Sequence, residues 1–191
     1  MKNSLTTRQV TLKGIADLMF DRYAGDNKTE LTVEKKMYFA SDGESLMMPS
    51  ANIISLLTAQ NTPSAPKRFL DKRVYKSMAQ SLLSYIAIAP FEIPITRNGK
   101  QIVFNGFDGE EDKKAGIYIH RSVARLDKGI PNPKVRPVVR APWEINFTLT
   151  IYPNDDFNEE LVHQLIQKSG IAIGLGTFRG VFGKFEITQW K

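Results

Sequence analysis

Alternating hydrophobic and polar residues predict the β-strands of this chain, because successive side chains on a strand point to opposite faces. The alternation covers residues 8–20, 116–125, 143–152 and 184–190. Two further segments, 85–96 and 100–107, flank Asn98-Gly99, a pair that favours a tight hairpin turn. The prolines of the first of these segments indicate that it is irregular or lies at a sheet edge.

Hydrophobic residues spaced three and four apart predict helices. The expected helices cover residues 49–61, 65–83 and 155–170. Ser50 can cap the first, Asn154 or Asp155 can cap the third, and Gly170 is a natural C-terminal stop. Residues 126–142 are rich in proline and basic side chains, so we expect an extended connection over the surface.

The order of these elements predicts the fold class. Strand, helix and strand follow one another over residues 143–190, which is the pattern of a crossover unit. The first strand, the helices after residue 49 and the strands from residue 84 onward can form an earlier unit. Two such units make a ferredoxin-like or RRM-like α+β sandwich, with an antiparallel-rich sheet and two main helices on one face. We expect a single domain over residues 1–191, with an inserted basic hairpin and loop region around residues 96–142.

The distribution of charge indicates a class of partner. The net charge is +6, and residues 66–140 hold fifteen Lys and Arg against seven Asp and Glu. Concentrated positive charge favours a polyanion, and nucleic acid before membrane, because no basic amphipathic helix with a strong apolar face accompanies it. The alternative interpretation is a solvated basic surface.

Cysteine content and hydrophobic runs indicate the cellular setting. The chain contains no cysteine, which excludes disulfides, thiolate nucleophiles and cysteine-ligated zinc. Its first ten residues, MKNSLTTRQV, lack the apolar segment of a signal peptide, and no run approaches transmembrane length. We therefore expect a cytoplasmic protein.

The segment before the last expected strand is rich in glycine. It holds Gly174, Gly176, Gly180 and Gly183 within ten residues. Such a cluster either lets the chain turn where side chains do not fit or lets the backbone approach a ligand. A dinucleotide-binding fingerprint is excluded, because Arg179 stands where its third glycine belongs and because this segment leads from helix into strand.

The ending of the chain resembles two groups of proteins. A helix followed by GIAIGLGTFRGVFGKFEI and a last strand resembles the glycine-rich C-terminal loop of RAMP proteins, the ferredoxin-like RNA-binding subunits of CRISPR systems. LMMPSANIISLL is similar to the start of their first helix. Residues 117–191 more closely resemble the ending of small bacteriophage proteins, in which GLG, an arginine and FG-x-F follow a strand that opens with tryptophan. In RAMP proteins the loop contributes to RNA contact, and the resemblance thereby implies binding roles for Gly174, Gly176, Arg179, Gly180 and Gly183.

Together, these observations favour non-catalytic binding of single-stranded nucleic acid, with RNA before DNA. Phosphate contacts are expected from Lys67, Arg68, Lys72, Arg73, Lys76, Arg121, Arg125, Lys134, Arg136 and Arg140. Tyr118, Phe178 and Phe182 are candidates for stacking with bases. Since RAMP backbone subunits assemble side by side along RNA, the resemblance also implies self-association, as a homo-oligomer or with other protein subunits.

Two other functions stay open. One is a phage-encoded protein that binds a host defence or replication protein without touching nucleic acid. The other is a metal-independent ribonuclease that uses His120, which lies beside Arg121 and could meet a phosphate. We expect no cofactor and no metal, because the chain has no histidine pair and residues 108–112 lack the spacing of a calcium loop.

Overall fold

The computed structural model describes residues 4–26, 28–59, 69–71, 73–125 and 129–191, which form strands and helices in an α+β arrangement. In chain order the elements are β1 (Thr6–Gly14), β2 (Leu18–Met19), β3 (Met47–Pro49), α1 (Ser50–Thr58), α2 (Tyr75–Tyr85), β4 (Ile86–Ala89), β5 (Glu92–Arg97), β6 (Lys100–Gln101), β7 (Glu111–Asp112), β8 (Ile117–Arg125), β9 (Pro131–Val139), β10 (Glu144–Ile151), α3 (Glu159–Ala172) and β11 (Phe185–Trp190). A short 3-10 turn, Glu34–Lys36, precedes β3.

The main sheet has the strand order of a ferredoxin-like fold. β1 and β10 lie side by side at its centre, β11 pairs with the other edge of β1, and β4 and β5 pair with the other edge of β10. All these pairings are antiparallel. β1 separates β10 from β11, and β10 separates β1 from β4, so a strand of one strand–helix–strand unit lies between the two strands of the other. The predicted fold class, a ferredoxin-like α+β sandwich with an antiparallel-rich sheet, is confirmed.

The two faces of this sheet differ in chemistry. Val10 opposite Phe147 and Leu12 opposite Ile145 are buried in the core, which the helices also line. The open face carries the pairs Thr7–Thr150, Gln9–Thr148, Thr11–Asn146 and Lys13–Glu144. None of these pairs on β1 and β10 contains an aromatic side chain, so they offer no stacking platform of the kind that RRM domains use.

A second sheet, in the order β2-β9-β8-β7, is built around a long hairpin. β8 and β9 pair from Ile117–Val139 to Arg125–Pro131. β2 joins this hairpin through Leu18 opposite Val139. Since β2 follows β1 directly, the chain passes from one sheet to the other over residues 15–17.

The strand expected over residues 8–20 is therefore divided between the two sheets. β1 ends at Gly14, where an added Cβ would collide with the indole ring of Trp143. Trp143 Nε1 donates a hydrogen bond to the Ala16 carbonyl at 2.8 Å and holds the chain as it leaves the first sheet. Packing on Trp143 ends the strand although the hydrophobic alternation continues.

The proline-rich segment 126–142, expected as a surface connection, contains β9, whose last three residues are buried. Pro131, Pro133 and Pro137 stand at alternate positions of that strand. The β8 residue opposite Pro137, Ile119, donates its N–H to a carbonyl outside β9. The prolines thus occupy positions that form no hydrogen bond with β8, where the missing N–H is tolerated.

α3 begins and ends at other residues than expected. Its N-cap is Asn158, whose side chain accepts a hydrogen bond from Leu161 N–H at 3.0 Å. The helix continues through Gly170 to Ala172. Gly170 is needed for close packing on β11, because an added Cβ would collide with Phe185.

The first two helices also differ from the expectation. Ser50 is the first residue of α1, and no side chain caps this helix. α2 begins only at Tyr75. Residues 60–68 and 72, part of the expected helical region, lie outside the described residues. Within the described ranges, every helix is too short or too polar to cross a membrane.

Candidate nucleic-acid interface

The glycine loop, residues 173–184, lies on the segment that carries β2. Thr177 N–H donates a hydrogen bond to the Met19 carbonyl at 2.9 Å, and Gly183 N–H donates to the Asp17 carbonyl at 2.7 Å. These two bonds fix the loop to the edge of the second sheet.

Three of the four loop glycines are required by the chain's own packing. Gly174, Gly176 and Gly183 have positive φ, and an added Cβ on each would collide with a backbone carbonyl of this chain. Gly180, at φ +90°, meets nothing within 4 Å. Of the four, Gly180 alone leaves space for a ligand to approach the backbone.

The backbone amides of the loop also form two groups, one bonded within the described chain and one free of partners there. Most of them donate hydrogen bonds to carbonyls of the chain. At the exposed tip, residues 178–181, the amides of Phe178, Arg179 and Val181 have no partner among the described residues. Free amides of a loop tip can bind an anion.

Arg179 is the charged residue of the tip. Its side chain is half-buried, and no carboxylate of the described chain lies within 4.0 Å of its guanidinium. Burial lowers the pKa of Arg179, because it penalises the charged form. The residue lines a cavity of about 220 Å³ together with Asn52 and Ser55 of α1. A cation without a counter-ion beside polar side chains is suited to binding an anion.

A row of rings connects this tip to the second sheet. The ring centroids of Phe178 and Phe182 are 5.9 Å apart, and those of Phe182 and His120 are 5.4 Å apart. Phe178 is 53% exposed and has a φ of +51°, a left-handed conformation that is costly for a bulky residue. The surrounding fold therefore holds an aromatic ring in solvent at the expense of backbone strain.

His120 shares its face of the hairpin with two of the predicted phosphate contacts. Arg136 lies directly opposite His120, and Lys134 lies opposite Ser122 on the same face. Arg121 points to the other face, because neighbouring residues on a strand alternate. His120 thus contacts the glycine loop through Phe182, Arg136 lies beside His120, and Lys134 lies further along the same face of the hairpin.

Asp17 positions the loop relative to the hairpin. Besides its carbonyl contact with the loop, its carboxylate accepts hydrogen bonds from Tyr118 Oη at 2.9 Å and from Ala141 N–H at 2.8 Å. Burial first, and then the bond to Asp17, raise the pKa of Tyr118 to about 12. Arg140 also lies over the Tyr118 ring, 4.6 Å from its centroid. These two partners leave Tyr118 less accessible to a base than Phe178.

Three predicted phosphate contacts already form ion pairs. Arg136 Nε lies 2.7 Å from a carboxylate oxygen of Asp21. The corresponding distances are 2.9 Å from Arg121 to Glu110 and 3.3 Å from Arg140 to Glu111. Residues 108–112, the acidic segment that lacks the spacing of a calcium loop, supply two of these partners.

The remaining predicted contacts lie elsewhere. Arg73 and Lys76 are exposed, just before α2 and within it. Arg125 is the last residue of β8. Lys67, Arg68 and Lys72 lie outside the described residues.

Sequence reasoning missed the two aspartates that organise this surface. Asp17 and Asp21 flank β2. Asp17 lies within the segment interpreted as one long strand, residues 8–20, and Asp21 follows it directly. A polar residue at Asp17, breaking the run of apolar residues, was the available signal. Among the described residues, no group of three His, Asp or Glu side chains could hold a metal ion.

The three helices and antiparallel sheets make a ferredoxin-like α+β fold, which is consistent with the fold of RAMP proteins. No protein-family model matches the chain, and no curated protein matches it in sequence. In structure it is similar to a chain of the Type III-B Cmr-beta bound to cognate target RNA, with a TM-score of 0.55 and 11% sequence identity. The match covers 98% of this chain and 60% of that one, so this protein spans about 60% of its neighbour's length. At that identity the likeness is one of fold.

Proposed function

We propose that this protein binds single-stranded RNA on the surface formed by the tip of the glycine loop and the His120 face of the β8–β9 hairpin. The observation that carries the proposal is the half-buried guanidinium of Arg179, which has no carboxylate partner. A charge-assisted bond to phosphate is stronger at a partly dehydrated site than in water. The neighbour in fold is bound to target RNA, which favours RNA over DNA.

The tip combines the two chemistries that single-stranded nucleic acids require. Arg179, the free amides beside it and the open backbone at Gly180 would hold phosphate, whereas Phe178 and Phe182 would stack with bases. Aromatic stacking tolerates any base, so most of this binding is independent of sequence. Here the loop tip takes the role that the open sheet face has in RRM domains.

The other predicted residues would contribute to binding in different ways. Lys134 would extend the phosphate track along the hairpin, while Arg121, Arg136 and Arg140 would first have to leave their carboxylates. Gly174, Gly176 and Gly183 would act by shaping the loop. Lys67, Arg68, Lys72, Arg73, Lys76 and Arg125 stay proposed as outer phosphate contacts.

Arg179→Ala tests the proposal, with Lys168→Ala as a control that removes one exposed charge from α3. Affinity for a fluorescent twelve-nucleotide RNA is measured by anisotropy at several salt concentrations. Arg179→Ala should lower affinity roughly ten- to a hundredfold, the loss of one charge-assisted contact. It should also lower the slope of log affinity against log salt by about 0.7. Equal affinity of both variants and the native protein would contradict the proposal.

We also propose that copies assemble side by side along RNA, as the RAMP resemblance implies. The number of copies bound, measured by sedimentation, should then rise with RNA length. A constant single copy on long RNA would contradict assembly. Salt-insensitive capture of one host protein, without RNA affinity, would favour the phage interaction protein instead.

A further inference from the structure

The cavity beside Arg179 has the dimensions of a site for one small ring system. Its volume of about 220 Å³ is several times the ~30 Å³ that a water molecule occupies. It is smaller than the ~300–1,000 Å³ typical of pockets that enclose a drug-sized ligand. Its lining includes Phe20, Tyr38 and Leu175 beside the polar residues Asp21, Asn52, Ser55, Thr177 and Arg179. A cavity of this size with several polar groups is suited to a small ring that carries hydrogen-bond donors and acceptors.

Two opposite charges line this cavity without touching. Arg179 and Asp21 both belong to it, but their charged atoms are more than 4.0 Å apart. Asp21 Oδ2 accepts a hydrogen bond from Arg136 Nε at 2.7 Å, which holds the carboxylate in place. Asp21 Oδ1 and the Arg179 guanidinium have no partner among the described residues. The cavity therefore presents one free acceptor group and one free donor fork.

We propose that this cavity takes a guanine base of the bound RNA. Guanine is the RNA base that offers two adjacent donors, N1–H and N2–H₂, to one carboxylate and two adjacent acceptors, O6 and N7, to one guanidinium. Adenine, cytosine and uracil lack that combination. Asn52 adds a further acceptor at the wall, since its Nδ2 is directed to the Met48 sulfur at 3.1 Å and its Oδ1 has no partner in the described chain.

This inference rests on the proposed RNA binding and adds base selection to it. The Arg179 guanidinium carries five N–H donors, so one edge would bind O6 and N7 of guanine while another keeps the phosphate contact. Phe178 and Phe182 lie on the same loop as Arg179, so the neighbouring bases would stack on the tip while one base enters the cavity. The protein would then bind many sequences, and the guanine in the cavity would determine its position on the RNA.

The test uses four fluorescent twelve-nucleotide RNAs, one of adenine only and three with a single central guanine, cytosine or inosine. The guanine RNA should bind at least about fivefold tighter than the adenine RNA, the discrimination that one bidentate pair supplies. Inosine lacks the N2 amino group and should lose part of this preference. Equal binding of all four would overturn the guanine assignment and leave RNA binding intact, whereas no binding of any would overturn both. If GMP alone binds as tightly as the guanine RNA, the assignment of the cavity to a base of RNA is overturned.

Two variants assign the preference to the cavity. Asp21→Asn replaces an acceptor pair with one acceptor and one donor, and Arg179→Lys keeps the charge but removes the planar fork. Each should reduce the guanine-to-adenine affinity ratio to within about twofold. Asp155→Asn, which removes an exposed carboxylate before α3, is the matched control and should keep the native ratio. Melting temperatures identify any variant that fails to fold, and a native ratio in folded Arg179→Lys would overturn the proposal.

Discussion

Two arginines near the two ends of α3 differ in their partners. Arg8 of β1 forms a two-point bond with Glu159, the first residue of the helix, with distances of 2.5 and 2.7 Å. Trp190 Nε1 donates to the same carboxylate at 2.7 Å. Arg179, seven residues beyond the end of the helix, has no carboxylate partner. The fourteen-residue helix separates these sites by about 20 Å along its axis.

The difference separates a structural charge from one that is available to a ligand. At the Arg8 end, every partner is supplied by the chain, and the bond ties β1, β11 and α3 together. At the Arg179 end, the fold half-buries a cation and supplies no carboxylate partner for it among the described residues. A charge without a counter-ion lowers stability unless a ligand completes the site. The contrast therefore agrees with the proposal that the Arg179 end binds RNA.

The largest expected effect comes from breaking the loop that holds Arg179. Gly183→Ala should lower the unfolding free energy by about 2–4 kcal/mol, because positive φ and a collision with the Leu175 carbonyl act together. Gly180→Ala, at positive φ but in open space, should cost only about 1–2 kcal/mol. Urea unfolding of both variants measures the difference. Equal losses would mean that the packing of the loop does not depend on Gly183.

A smaller effect is expected when the paired arginine is removed. Arg8→Ala should lower the melting temperature by a few degrees, because Glu159 loses its two-point bond with Arg8 and keeps only the bond from Trp190. RNA affinity should stay within about twofold, since one distant surface charge contributes little. Arg179→Ala should show the reverse pattern. Loss of RNA affinity in Arg8→Ala at an unchanged melting temperature would remove the distinction between the two ends.

The pH dependence of stability sharpens the comparison further. The hydrogen bond from Arg8 is the main cause that lowers the pKa of Glu159 from its ordinary value of 4.5. A lowered folded-state pKa contributes stability above pH 4.5 that is lost as the pH falls through the folded-state value. Glu159→Gln should therefore reduce the change in melting temperature with pH between about pH 3 and 5. If the variant's melting temperature depends on pH as the native protein's does, other carboxylates cause the loss of stability in acid.

The smallest effect concerns the ring beside Asp17. With its pKa raised from the ordinary 10.0 to about 12, Tyr118 should give a late ionisation step in an absorbance titration. Because the folded state favours the neutral phenol, its contribution to stability is complete below pH 10 and is lost between pH 10 and 12. Asp17→Asn should shift that late step to lower pH, because the bond to Asp17 is one of the causes that raise the pKa of Tyr118. A single unresolved step in the native protein would contradict the assignment.

The sequence predicted the sandwich because its signals are local. Alternation in β1 and β10, the spacing in α3 and the Asn98-Gly99 turn each depend on neighbouring residues, and their order determines the topology. The second sheet could not be predicted in the same way. It depends on Gly14 meeting Trp143, a packing contact between residues more than a hundred positions apart.

The candidate site was predicted in part for the same reason. Arg179 and the rings of the loop stand in one short segment and were identified directly. The partners that distinguish a free cation from a paired one come from distant segments. Asp21 neutralises Arg136 across the second sheet, and no spacing rule connects them.

The prolines of β9 have a consequence for how copies of this protein can meet. The edge of β9 that faces away from β8 is covered by β2 only at its end. Along the rest of that edge Pro131 and Pro133 offer no N–H, and the Val135 carbonyl accepts a bond from Lys36 Nζ at 2.8 Å. A foreign strand finds almost no donor there to continue the sheet, which is how natural proteins prevent aggregation through exposed edges. If copies assemble side by side on RNA as proposed, their identical edges come close together, and replacing Pro131 and Pro133 would open those edges to β-pairing between copies.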